Sequence, residues 1–251
     1  MSPAPVSPPA TPATPAVTHA LILAAGRGER MRPLTDACPK PLLEVQGKPL
    51  IVWQLEKLAR AGVRQVVINT AWLEAQFAPL LGDGSAWGLS IRYSHEGALY
   101  GGALETAGGI ATALPLLELI GETPFWVLAG DVFMPDFEFA PADGARFAAS
   151  KALAHIYLVP NPEHNPRGDF GLSAGGMALN QAPQQFTYST VGLYRPALFA
   201  GTPAGHKAAL APLLRTAMQS GRVSAALYLG AWTDVGTPER LALLNAPPTS
   251  P

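Results

Sequence analysis

The stretch THALILAA, Thr18–Ala25, most constrains what this chain can fold into. It is a continuous apolar run of strand length, as expected for a strand buried on both faces. Strand-like and helix-like stretches then alternate. Pro49–Gly62 reads as a helix in which Ile51, Leu55 and Leu58 share a face while Gln54, Lys57 and Arg60 point elsewhere, with Pro49 in the first turn and Gly62 at the end. RQVVINT (Arg64–Thr70), LSIRYSH (Leu89–His95) and PFWVLAGD (Pro124–Asp131) are strand-like. Leu73–Leu81 and Ala103–Leu114 are helix-like, the latter weakened by Gly108 and Gly109.

The second half is richer in strands. AHIYLV (Ala154–Val159), DFGLS (Asp169–Ser173), FTYSTVGLY (Phe186–Tyr194) and VSAALYLG (Val223–Gly230) are separated by turn residues. Helices are expected over Leu210–Met218 and Thr237–Asn245. The pattern predicts an α/β fold, a Rossmann-like mixed and mostly parallel sheet flanked by helices. No hexapeptide β-helix repeat is present. Residues 18–246 form one expected domain, after a Pro/Ala-rich tail over 1–17, expected to be disordered, and before a soft end at 247–251.

Composition excludes several classes. With 17 basic and 18 acidic residues the net charge is -1, so no general nucleic-acid or membrane surface is expected. No apolar run is long enough to span a bilayer. Cys38 is the sole cysteine, which rules out an intramolecular disulfide and fits a cytoplasmic protein. His19, His95, His155, His164 and His206 are scattered at no metal-binding spacing and are expected to be structural or superficial.

The chemistry begins where the first strand ends. Ala24–Leu42 reads AAGRGERMRPLTDACPKPL. Gly26 and Gly28 allow backbone N–H groups to approach an anion, and Arg27, Arg30, Arg32 and Lys40 add charge. In open α/β sheets, ligands bind at this end of the strands. The loop has neither the Gly-Lys-Ser/Thr of a P-loop nor the G-x-G-x-x-G spacing.

The string L-A-A-G-x-G-x-R-M-x-P-L-T-x(4)-P-K-P-L resembles the start of the sugar-1-phosphate nucleotidyltransferase family, and the resemblance runs over essentially the whole chain after the tail. It implies the nucleotide-diphospho-sugar transferase fold, with a nucleotide-binding first half and a sugar-binding second half. It implies that Ala25, Gly26, Gly28, Glu29, Arg30 and Lys40 surround an NTP, with Lys40 and Arg30 stabilising charge at the reacting phosphorus. Glu29 stands where many members carry Thr or Ser. The family also carries two metal-binding aspartates, matched by Asp131 after WVLAG and by Asp234 in AWTDVGTP. Mg²⁺ is the implied cofactor, since it favours a few carboxylates together with phosphate oxygens and water. The local alternative is that Asp131 opens a turn and Asp234 caps the closing helix.

Specificity is implied by what lies between. Ser94–Gly109 corresponds to the family's base- and ribose-contacting region, with Glu96, Glu105, Gly108 and Gly109 as candidates. The combination N-P-x-H-N-x-x-G-D-F, F-T-Y-S and L-A-P-L-L-R resembles the short bacterial uridylyltransferases acting on N-acetylmuramate 1-phosphate in peptidoglycan recycling. Asn165, Asp169, Thr187 and Thr190 would then meet the sugar, and Lys207 could attract its carboxylate or phosphate. Ala129 departs from that branch, which carries Asn there. The partners expected are a nucleoside triphosphate and a sugar 1-phosphate, for a monomer or weak homo-oligomer. A mannose-1-phosphate guanylyltransferase and a non-catalytic nucleotide-sugar sensor are the alternatives.

Overall fold

The computed structural model describes residues 17–247. The expected tail lies outside the described residues except Val17, and the expected soft end lies outside them from residue 248. Val17 itself is buried, and a Cβ on Gly144 would come within 2.6 Å of its side chain.

Thirteen strands are formed: β1 His19–Leu23, β2 Glu44–Val45, β3 Lys48–Pro49, β4 Gln65–Thr70, β5 Ser90–His95, β6 Phe125–Ala129, β7 Val132–Phe133, β8 Ala154–Val159, β9 Phe170–Leu172, β10 Ala178–Leu179, β11 Gln185–Tyr194, β12 Val223–Leu227 and β13 Thr233–Asp234. The helices are α1 Leu34–Ala37, α2 Leu50–Arg60, α3 Phe77–Leu81, α4 Glu96–Tyr100, α5 Glu105–Ala113, α6 Pro141–Ala149, α7 Leu210–Gln219 and α8 Pro238–Asn245. The main sheet runs β10-β9-β11-β6-β1-β4-β5, with β8 also paired to β11 and β12 to β8. β6, β1, β4 and β5 are parallel, while β11 is antiparallel to β6, β8 and β9. None of the described helices is long and apolar enough to cross a membrane.

The apolar run opens this sheet at its centre, and its alternation shows why it had to be apolar throughout. Ala20 and Ile22 join one core with Val66, Ile68, Trp126 and Leu128, packed on Ile51, Leu55 and Leu58 of α2. Leu21 faces the other side with Val67, Phe125 and Val127, against Ile110 of α5 and Leu210 and Leu214 of α7. Successive strand residues point to opposite faces, so a doubly covered strand has no polar position. Each such Leu or Ile contributes about 1.5–3 kcal/mol by leaving water. A third cluster, Met31, Val45, Leu50, Phe133 and Val235, lies under the β7–β13 ribbon.

Gln54 differs from the expectation that it faces away from the core. It is buried, and its Nε2 donates to Ala129 O at 2.7 Å and Val132 O at 2.9 Å. A polar side chain can sit on a helix's inner face when backbone carbonyls accept its protons. Pro49 precedes α2 with extended ψ rather than standing in its first turn. The helix expected over Leu73–Leu81 is a 3-10 turn followed by α3, and α6 was not foreseen.

Candidate active site

The strand order turns back at β1: the chain builds β4 and β5 on one side, then returns to place β6 on the other. Ligand crevices form at such a switch point, beyond the carboxyl ends of the strands. A cleft of about 640 Å³ opens there. Leu23 at the end of β1 with Ala25 and Gly26 beyond it, Asn69 near the end of β4, and Ala129 at the end of β6 with Asp131 beyond it line the cleft. From the second half come Asp169, Phe170, Tyr188, Thr190 and the α7 residues Leu210, Ala211, Leu214 and Arg215.

The glycine loop is held open by its two ends. Ala24 N donates to Asn69 Oδ1 at 2.8 Å, and Gly28 O accepts from Met31 N and from Thr35 Oγ1, each at 2.8 Å. Gly28 has φ 64°, and a Cβ there would meet Thr35 Cγ2 at 2.8 Å, so both conformation and space call for glycine. Between these anchors the N–H groups of Gly26, Arg27 and Gly28 have no acceptor among the described residues. Consecutive free amides of this kind form a cradle for an anion.

Lys40 Nζ lies 2.5 Å from Asp131 Oδ2, its side chain mostly covered. Asp131 is joined to Asp234 through the backbone. In the β7–β13 ribbon, Asp234 pairs with Val132, and Val235 N donates to Asp131 O at 2.9 Å. Asp234 Oδ1 accepts from Arg240 Nη1 at 2.7 Å and lies 3.1 Å from His164 Nε2. Thr237, rather than Asp234, caps α8 by accepting from Arg240 N. A Cβ on Gly236 would lie 3.1 Å from Asp234 Oδ2 and 3.5 Å from Arg30 Nη2, so Arg30 joins the same corner.

This donor set suits a hard divalent ion carried with a phosphate ligand. Asp131 Oδ1 and Asp234 Oδ2 accept no hydrogen bond from the described residues. No group of three or more His, Cys, Asp or Glu side chains is gathered among the described residues, so an all-protein cage is absent there. Two carboxylates with substrate oxygens completing the shell match Mg²⁺ better than Zn²⁺.

The remaining candidates divide between lining and support. Glu105, Asp169 and Thr190 line the cleft. Asn165 and Thr187 stand behind Asp169: Asn165 Nδ2 donates to Asp169 Oδ2 at 3.2 Å and to Thr187 Oγ1 at 3.1 Å. Asp169 Oδ2 also accepts from Tyr188 N at 2.8 Å. Glu105 and Thr190 are non-glycine residues at φ 60° and 65°. Thr190 sits in an irregularity of the β11–β8 pairing, and such left-handed positions, costing about 1–3 kcal/mol each, gather where a fold aims side chains at a ligand. Gly108 does not line the cleft. Its absent Cβ would fall 2.2 Å from His206 O, and its N–H donates to Ala208 O at 3.0 Å, so it seats the 205–209 loop. Glu29 is exposed and off the lining, and Arg27 stacks 4.4 Å over Trp72.

Beneath the cleft a buried chain links three elements. Ala24 N–H points to Asn69 Oδ1, Asn69 Nδ2 donates to Glu96 Oε1 at 2.6 Å, and Leu104 N donates to Glu96 Oε2 at 2.8 Å. Burial pushes the Glu96 carboxyl up, opposed by its bonds from Leu104 and Asn69. Both Glu96 oxygens thus accept, one from the Asn69 amide and one from the Leu104 backbone.

With the geometry in place, comparison with known proteins is decisive. Residues 19–181 match the nucleotidyl transferase family. The chain belongs to that family. Among its curated members, the N-acetylmuramate alpha-1-phosphate uridylyltransferase of Neisseria meningitidis serogroup B is 52% identical over 225 residues, 88% of this chain and 94% of that protein. The enzyme of the same description from Caulobacter vibrioides is 34% identical over 230 residues, 88% and 92% respectively. A Bacillus anthracis crystal structure, provisionally described as a glucose-1-phosphate thymidylyltransferase and holding sucrose, shares the fold with TM-score 0.75 at 21% identity, over 90% of this chain and 94% of that one.

Sequence reasoning missed Asn69, Arg215 and the approach of His164 to Asp234. The Asn69 link gives a direct prediction for this nucleotidyl transferase. Asn69→Leu leaves Glu96 Oε1 without a partner in a buried place and reduces Ala24 N–H to its longer bond with the residue 69 carbonyl, 3.2 Å, and is expected to cost about 2–4 kcal/mol. Thermal denaturation should show a Tm lower by roughly 4–16 °C; an unchanged Tm would mean that water satisfies those groups.

Proposed function

We propose that the protein transfers a uridylyl group from UTP to N-acetylmuramic acid 1-phosphate, giving UDP-N-acetylmuramic acid and pyrophosphate, as a cytoplasmic step of peptidoglycan recycling. The observation that carries the chemistry is the β7–β13 ribbon, which sets Asp131 beside Asp234 with Lys40 on Asp131. The substrates follow from the 52% identity, along nearly all of both chains, to a relative of that description.

Asp131 and Asp234 would hold Mg²⁺, which supplies charge neutralisation on the phosphates. The free amides of Gly26–Gly28 would cradle the triphosphate, and Arg30 and Lys40 would stabilise charge as pyrophosphate leaves. The attacking oxygen belongs to a sugar phosphate that is already an anion, so no general base is needed. Catalysis is then positioning and charge compensation. Asp169 and Thr190 would face the sugar, with Asn165 and Thr187 fixing Asp169; Glu105 would lie on the nucleotide side. Ala129 leaves open space on the lining where an amide would otherwise reach the substrate. The expected partners are these two small molecules, with no nucleic acid or membrane, for a monomer or weak homo-oligomer.

The test is pyrophosphate release from UTP, GTP, CTP and dTTP against N-acetylmuramic acid, N-acetylglucosamine, glucose and mannose 1-phosphates. The highest kcat/KM is expected for UTP with N-acetylmuramic acid 1-phosphate. Turnover confined to GTP and mannose 1-phosphate would replace this reading with a guanylyltransferase, and no turnover of any pair would favour a sensor.

A further inference from the structure

Arg215 is the basic residue among the described residues that line the cleft; the lining carboxyl groups are Glu96, Glu105, Asp131 and Asp169. A site for two anionic substrates whose other charged lining groups are carboxylates gives its lining cation a specific task. Lys40 and Arg30 gather instead around Asp131 and Asp234, and neither is on the lining. Arg215 stands on α7, on the wall built by the second half of the chain with Asp169 and Phe170.

Its guanidinium is held but not neutralised. Cζ lies 5.0 Å from the centre of the Phe170 ring. Nη1 donates to Asn180 O and Nη2 to Asp169 O, each at 3.3 Å, long for N–H···O bonds. Among the described residues it forms no ion pair. A planar fork braced on a ring, with weak carbonyl bonds and no counter-charge, is prepared for a carboxylate. Phe170 and Leu214 beside it give apolar surface that strengthens such a pair. Arg215 and Lys207, the cation first considered for this task, are both exposed, and of the two only Arg215 lies on the lining.

We infer that Arg215 is a specificity-determining residue that pairs with the lactyl carboxylate of the sugar, and so separates N-acetylmuramic acid 1-phosphate from N-acetylglucosamine 1-phosphate, the same sugar without the acid. The inference rests on the proposed substrate. Arg215→Met keeps the apolar stem, while Arg215→Lys keeps the charge and loses the fork.

Steady-state rates with UTP are measured for wild type and both variants on three acceptors: the muramic acid 1-phosphate, its lactyl carboxamide analogue and the glucosamine 1-phosphate. For Arg215→Met, kcat/KM on the acid is expected to fall about 10- to 100-fold, chiefly through KM, because one charge-assisted contact is lost. The carboxamide and the glucosamine substrate should change less than about threefold, with KM for UTP unchanged, and Arg215→Lys should recover part of the loss. Equal losses on all three acceptors, or no loss on the acid, would overturn the assignment to Arg215 alone. A wild-type enzyme that does not turn over the acid would overturn the substrate reading and this inference with it.

Discussion

Asp131→Asn is expected to lower turnover by about 10³-fold or more, because it removes one of the two carboxylates proposed to hold the metal while keeping the side chain's size. The ribbon is built from backbone pairing, Val235 N to Asp131 O and Asp234 to Val132, so it does not depend on the charge. The turn around Asp131 is also clamped from below by Gln54 Nε2 on Ala129 O and Val132 O. The variant should therefore keep its circular-dichroism spectrum and a Tm within a few degrees of wild type. Pyrophosphate release over a range of Mg²⁺ concentrations is the measurement. Rates within tenfold of wild type at saturating Mg²⁺ would remove Asp131 from the metal site.

What the sequence disclosed, and what it withheld, follows from how each feature is encoded. β1, β4 and β6 show apolar stretches, Ala20–Leu23, Val66–Ile68 and Phe125–Ala129, because both faces there are covered by a core, and the entry loop shows as glycines and cations, the composition expected of an anion cradle. The family follows from that same string, and the match over residues 19–181 bears it out. The ribbon that joins the two aspartates was not legible. Two-residue strands carry no period, and β7, at Val132–Phe133 in the middle of the chain, is far in sequence from β13 at Thr233–Asp234.

Polar residues that serve other residues were hidden for a different reason. Gln54 has the spacing of an inner-face residue, three after Ile51 and four before Leu58, but its polarity reads as solvent-facing; no one-dimensional pattern shows that two backbone carbonyls, rather than water, accept from its amide. Asn69 ends a strand like any turn-forming asparagine, and Arg215 closes a helical turn like any exposed arginine. Gly108 was legible as a glycine needed near the site, but its task is to let the backbone at His206 approach, which only the packing reveals. α6 was missed because only Gly144 and Phe147 of its nine residues are buried, too few to mark an apolar face.

Lys40→Met is expected to cost about 10²- to 10³-fold in kcat if Lys40 has its proposed role, the usual loss when one preorganised group facing developing charge is removed. Lys40 is held by the 3-10 turn Lys40–Leu42, with Pro41 and Leu42 buried, so its ammonium is delivered from a fixed base to within 2.5 Å of Asp131 Oδ2. That contact makes the two residues one unit. Without Lys40, Asp131 keeps its place but loses its counter-charge; without Asp131, the ammonium loses the group that aims it. The double variant Asp131→Asn, Lys40→Met should therefore be little slower than Asp131→Asn alone, rather than showing the product of the two losses, because residues acting as a unit are not additive. Single-turnover rates at saturating UTP, Mg²⁺ and sugar phosphate give the comparison for all four proteins. Full multiplication of the two losses would show that Lys40 acts on the triphosphate independently of Asp131.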